Sequence, residues 1–238
     1  MQFRVADCPD RRNNASTLKT TALILFACAS ALTWPTFAQN QTPTQPEKQT
    51  VIAPQNRELL QRAIRDFDKK NYDDALKALA ELDQKMPNDP LVLNLMGAAY
   101  TRKKDFGKAE DYFKRSLEKA PDFFPSKFNV GELLFLQKRY AEALDFFGKM
   151  LATSPRNELL QFKVFLCQLQ LGRDEEAAKT LSEIKYPGDT PAWYYAQAAL
   201  EHKKGHASKA SEYIKGARFI FGPKTALFDE TFEDLQIK

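Results

Sequence analysis

Four alanines, Ala75, Ala109, Ala143 and Ala177, recur every 34 residues, and three prolines, Pro87, Pro121 and Pro155, keep the same interval twelve residues downstream of the first three. A fixed period of roughly 20 to 50 residues marks a chain built from stacked supersecondary units, none of which can bury its apolar face alone. The core of such a chain is a continuous ribbon shared between neighbours, which excludes a single globular core and restricts the fold to a repeat architecture.

The residues between these markers say what the unit is. From Pro90, the residues Leu93, Met96, Gly97 and Tyr100 fall at i, i+3, i+4 and i+7, the stripe of one buried helix face. Lys104-Asp105-Phe106 interrupts the pattern, and Ala109, Phe113, Ser116 and Leu117 resume helical spacing until Pro121 stops it. Each unit therefore predicts a helical hairpin. Small residues stand where its two helices come closest, Gly97 and Ala109 in one unit and Gly131 and Ala143 in the next, while Phe106, Phe113, Tyr140 and Phe147 fill the wider gaps.

These residues resemble the tetratricopeptide repeat family, whose W-x2-L-G-x2-Y, A-x3-F and P pattern over 34 residues is matched by Pro90 to Phe123 and by Phe124 to Arg156. The resemblance implies an all-α solenoid of about five helical hairpins over residues 56–222, with units 56–89, 90–123, 124–156, 157–190 and 191–222. The outer units depart from the pattern. The first keeps Tyr72, Ala75, Leu79 and Pro87, but its leading helix, with Leu59, Leu60, Ala63, Ile64 and Phe67, reads one residue short. The fourth has Phe165 where the crossing favours a small residue, so that crossing is expected to be wider or shifted. In the fifth, marked by Trp193, Tyr194, Ala198 and Gly205, the alanine Ala210 arrives after 33 residues.

Beyond Gly222-Pro223, residues 223–238 place Leu227, Phe228, Phe232 and Leu235 on one helical face, with Asp229, Glu230, Glu233 and Asp234 mostly opposite. A solenoid exposes apolar surface at its last unit, so a C-terminal capping helix is the expectation. The alternative is that this segment docks into the groove of its own or a neighbouring molecule.

The first 38 residues stand apart. Arg4, Arg11, Arg12 and Lys19 precede the uncharged stretch Thr20 to Trp34, and Thr36-Phe37-Ala38 offers a small-x-small cleavage site, the pattern of a secretory signal peptide over 1–38. Two alternatives stand beside cleavage. One is a retained anchor, against which the apolar run is short and Pro35 interrupts its end; the other is lipid attachment at Cys28. Residues 39–55, rich in Gln, Thr and Pro, read as a disordered linker. The expected location is the periplasm or cell envelope. Cys167 is the one cysteine outside the presequence, and its place between Leu166 and Leu169 fits a buried small hydrophobe.

Charge and motifs narrow the function. Processing after Ala38 would reduce the formal charge of +4 by removing four basic and two acidic residues. The remaining Lys and Arg alternate with Asp and Glu in place of a basic stripe, which argues against nucleic acid as a partner. The sequence holds no nucleophile elbow, P-loop or dinucleotide fingerprint. Asp73-Asp74 and Glu175-Glu176 fall at helix starts, where negative charge meets the helix dipole. His202 and His206 have i, i+4 spacing, but Gly205 breaks the helix between them and the Glu of a zinc signature is missing. No catalytic residue, metal site or cofactor is expected.

In the family the first helices of the units line a concave groove. The residues about 100° round from the buried stripe are Asn94, Ala98 and Thr101 in the second unit, and Phe128, Glu132 and Phe135 in the third. They continue as Phe162, Leu166 and Leu169 in the fourth and Tyr195, Ala199 and His202 in the fifth. The resemblance makes Asn94, Phe128, Glu132, Phe135, Phe162, Leu166 and Tyr195 the candidate partner-binding groove, apolar and aromatic towards its C-terminal half. Phe128, Phe162 and Tyr195 occupy a row where a chaperone-tail clamp needs a basic residue, so that activity is not implied. Equally, Phe128 and Phe162 would suit packing against neighbouring units. The reading that follows is a non-enzymatic protein-binding scaffold taking a peptide or helix. Beside it stand a membrane-tethered assembly subunit of envelope or secretion machinery and a self-associating module.

Overall fold

A computed structural model describes residues 53–237, so the expected signal peptide and all but the end of the expected linker lie outside the described residues. Eleven α-helices and one 3-10 turn follow one another, with no strand among the described residues. Five antiparallel hairpins pair α1 (Pro54–Asp68) with α2 (Tyr72–Lys85), α3 (Pro90–Arg102) with α4 (Phe106–Lys119) and α5 (Phe124–Leu136) with α6 (Tyr140–Thr153). The series continues as α7 (Glu158–Gln170) with α8 (Asp174–Glu183) and α9 (Ala192–Lys203) with α10 (Ala207–Phe221). The turn Gly222–Thr225 leads into α11 (Ala226–Asp234).

The period has a geometric origin at the turn inside each hairpin. Lys70, Lys104, Lys138, Gly172 and Gly205 all adopt positive φ, between 60° and 81°. Around each, the backbone N–H of the next residue reaches back five positions, as from Asp105 to Tyr100 O (3.0 Å) and from Arg139 to Leu134 O (3.0 Å). Such a left-handed residue closes the carbonyls left open at a helix end and reverses the chain in three residues. Asp89 and Asn157 begin the next hairpins by accepting the N–H groups of Leu91 and Val92 and of Leu160, respectively.

Crossings are tightest at the glycines. A β-carbon built on Gly97 would stand 2.5 Å from the Phe113 ring, and one on Gly131 2.5 Å from the Phe147 ring. Ala75, Ala109, Ala143, Ala177 and Ala210 are all buried on the second helices. The first hairpin is not short, as its sequence suggested. α1 begins at Pro54, inside the expected linker, and Ala63 falls in the register of Gly97 and Gly131. Phe165 is wholly buried.

First helices also pack on one another, α3 on α5 and α7 on α9. That closer approach puts them on the inner side of the curve. α7 is buried along almost its whole length, between α6, α8 and α9.

Candidate functional site: the concave face and its resident helix

α11 is not an end cap. α10 leaves Phe219 92% and Ile220 56% exposed, whereas Phe228 and Phe232 of α11 are buried against first helices. The Phe228 ring lies 5.0 Å from Phe162 on α7 and 5.2 Å from Tyr195 on α9, and Phe232 meets Tyr195 edge-on at 4.9 Å. The segment thus occupies the groove of its own chain. The amphipathic stripe seen in the sequence serves this contact, facing Phe162 on α7 and Tyr195 on α9 and leaving Phe219 and Ile220 of α10 uncovered.

Charged and polar side chains fix its register. Tyr195 donates its hydroxyl to Asp229 Oδ1, which also accepts from Arg218 Nη2 at 2.8 Å, while Thr225 Oγ1 donates to Asp229 Oδ2 at 2.9 Å. Arg102, at the end of α3, pairs through Nη2 with Glu230 and through Nη1 with Asp234 (3.3 Å). Lys70 and Glu233 approach to 3.9 Å at the exposed margin. Between these ends Lys163, fully buried on α7, donates to Glu132 Oε2 at 2.7 Å and to Thr231 Oγ1 at 2.8 Å. The rings of Phe128, Phe135 and Phe162 stand 5.8 to 5.9 Å from its ammonium group, an aromatic enclosure that favours a cation.

This burial moves several protonation equilibria. Desolvation pushes the Glu230 carboxyl up to about 7 against the pull of Arg102, with Asp234 and Glu132 adding to the rise and Lys163 opposing it. The Tyr195 hydroxyl is raised first by burial and then by its bond to Asp229. Burial pushes the Cys167 thiol up to about 12, so this free cysteine is an inert part of the core, as its neighbours in the sequence suggested.

The expectation of an open groove is corrected by these contacts. Asn94, Phe128, Phe135, Phe162, Leu166 and Tyr195 are buried, and Glu132 is half-buried. Phe162 and Tyr195 meet α11. Phe128 packs on Phe147 of its own hairpin (5.5 Å) and Phe135 on Tyr140 (5.2 Å). Asn94 bonds across units, its Oδ1 accepting from Ser126 Oγ (3.0 Å) and Asn129 Nδ2 (2.9 Å). Sequence reasoning missed Arg102 and Lys163. Lys163 follows Phe162 in an otherwise apolar helix, and a charge in that setting was the available signal. His206 stands just before α10, and its ring bonds Glu201 at 2.9 Å. Among the described residues no group of three His, Cys, Asp or Glu side chains could hold a metal ion.

Comparison with known proteins agrees with this architecture. The family profile described as tetratricopeptide repeat matches residues 66–126 and 134–200. The anaphase-promoting complex subunit CDC16 of Saccharomyces cerevisiae is 30% identical over 124 residues, which are 48% of this chain and 15% of that protein. The chain therefore spans only a small part of that relative's length. Among solved structures, a tetratricopeptide repeat protein from Parabacteroides merdae superposes with a TM-score of 0.62 at 16% identity, covering 76% of this chain and 71% of that one. A thermophilic protein of the same kind from Thermus thermophilus gives 0.60 at 18% identity, covering 76% and 99%. Likeness at these identities speaks for the fold.

Proposed function

The chain belongs to the tetratricopeptide repeat family, and from that premise we propose a scaffold without chemistry of its own, working in the periplasm or at the cell envelope, whose concave face takes a peptide or helix of another protein. One observation carries the binding mode: that face already holds a protein helix, α11, through two phenylalanines and a set of charged pairs. A surface that buries one amphipathic helix by side-chain contacts alone has the shape and chemistry to bury another. The presequence pattern supports export.

A second reading rests on the apolar run from Thr20 to Trp34 and on Cys28. Retained or lipidated, that segment would tether the scaffold at a membrane as an assembly subunit. No described helix is long and apolar enough to cross a membrane, and the tether of this reading is the apolar run or Cys28, both before residue 53.

Photo-crosslinking in intact cells tests the proposal. A diazirine side chain in place of exposed His202, two turns beyond Tyr195 on α9, is expected to capture envelope proteins, and the same group in place of exposed Lys149 on α6 is not. Capture from Lys149 alone would refute the groove. Mass spectrometry of the mature N-terminus separates the two readings: a start at Gln39 supports the exported scaffold, and a retained Met1 or a modified Cys28 supports the tether.

A further inference from the structure

The resident helix shows what the concave face selects. α11 presents Phe228 and Phe232, one helical turn apart, to Phe162 and Tyr195, while Glu230 and Asp234 reach Arg102. Thr231, between the two phenylalanines, accepts from Lys163. From the side of the groove, the complement is an aromatic shelf flanked by a guanidinium from α3 and an ammonium from α7. These groups come from the second, fourth and fifth hairpins, so the arrangement exists only because the hairpins stack.

The fit of α11 is incomplete. Glu230 Oε2, Glu132 Oε1 and Arg102 Nε are buried without a hydrogen-bond partner, and a buried acceptor or donor left unmatched weakens the contact that buries it. The helix has only nine residues, far too few to persist in water once detached, so it would leave as a coil. It hangs from a single 3-10 turn that starts at Gly222, whose φ is +52°. A short, imperfectly matched segment on a one-turn hinge is suited to exchange.

We propose that α11 is an internal competitor: the concave face is a receptor for a helix of a partner protein with two aromatic side chains one turn apart and carboxylates beside them, and that helix enters as α11 leaves. This rests on the reading that the concave face is the interaction surface, and it adds the partner's chemistry and the exchange. Charge complementarity selects the occupant. A basic helix would set its cations against Arg102 and Lys163, and a purely apolar one would bury Arg102 with no counter-charge.

The test uses the full chain and a fluorescein-labelled synthetic peptide of residues 224–237. By fluorescence anisotropy the Phe228→Ala/Phe232→Ala chain, whose own tail docks poorly, binds the peptide at least tenfold more tightly than the unaltered chain. A peptide carrying Asp229→Asn and Asp234→Asn, which loses the carboxylates that meet Tyr195, Arg218 and Arg102, binds that variant at least tenfold less tightly than the parent peptide. A second measurement avoids any folding defect of the variant: hydrogen exchange in the unaltered chain with excess peptide, where protection over residues 226–234 falls while α3, α7 and α9 stay protected. Equal affinity for both chains, no binding, or a bound peptide with 226–234 still protected overturns the proposal. A natural partner captured from position 202 while α11 stays protected would overturn the exchange and leave the scaffold standing. No capture at the concave face removes the scaffold reading itself.

Discussion

Adding one methyl group at Gly97 probes the packing rule on which the whole ribbon depends. A β-carbon there would stand 2.5, 2.7 and 3.0 Å from three atoms of the Phe113 ring, whereas carbon atoms at ease keep about 3.5 to 4.0 Å. The overlap is therefore about 1 Å. Phe113 is wholly buried beside Ala109 and Leu133, so the ring has little room to retreat. Overpacking of this kind costs about 1 to 3 kcal/mol, against a helix-propensity gain of about 1 kcal/mol for replacing Gly by Ala. With three contacts at 3.0 Å or less to a wholly buried ring the upper half of that range applies, about 2 to 3 kcal/mol, so Gly97→Ala is expected to lose about 1 to 2 kcal/mol. Gly148 supplies the internal control, since it lies inside α6 and an added β-carbon meets nothing within 4 Å. There the propensity term acts alone, and Gly148→Ala should gain about 0.5 to 1 kcal/mol. Urea unfolding followed by circular dichroism reads both. Stability of Gly97→Ala at or above the parent chain would refute the reasoning, because the close approach of α3 to α4 would then not be tight.

Three further outcomes follow from the turns, the buried cation and the docked carboxylate. Lys104→Gly and Lys138→Gly should each raise stability by about 0.5 kcal/mol, since relief of left-handed strain at φ 60° outweighs the extra chain entropy of glycine; a fall in thermal midpoint would contradict this. Lys163→Met leaves Glu132 buried without its counter-charge and should cost about 3 kcal/mol or more. The double variant Glu132→Gln/Lys163→Met should recover part of that loss in a double-mutant cycle of urea midpoints. Glu230 binds its proton more tightly docked, up to about 7, than in an undocked tail, whose ordinary value is 4.5. Docking of α11 is thus fully supported by this group below pH 4.5 and loses that support as pH rises through 7, by on the order of 3 kcal/mol. Hydrogen exchange over residues 226–234, corrected for intrinsic rates, should show the loss, and Glu230→Gln should abolish it.

The hairpins were legible because each carries its own local signals. Gly97 and Gly131 mark the crossings, the prolines end the second helices, and Gly172 and Gly205 mark two of the turns. At Lys70, Lys104 and Lys138 the same left-handed turn is made by residues that do not advertise it, so only the period betrayed it. The start of α1 was misplaced because Pro54 and Gln55 continue the composition of the segment before them, although proline is well suited to the first turn of a helix. The apolar stripe of α11 was visible but its address was not, since the same stripe would suit the last hairpin or the groove. What decides between them is the aromatic shelf of Phe162 and Tyr195, assembled from units some 30 residues apart. Lys163 was hidden for a similar reason: its partners Glu132 and Thr231 lie 31 and 68 residues away in the chain.

Ring-to-ring nuclear Overhauser contacts in solution test the placement of α11 most directly. The account predicts cross-peaks from Phe228 to both Phe162 and Tyr195, and from Phe232 to Tyr195, in the unliganded chain. Phe228 and Phe232 signals at random-coil positions, or cross-peaks from Phe228 and Phe232 to Phe219 and Ile220 on α10 in place of Phe162 and Tyr195, would contradict it.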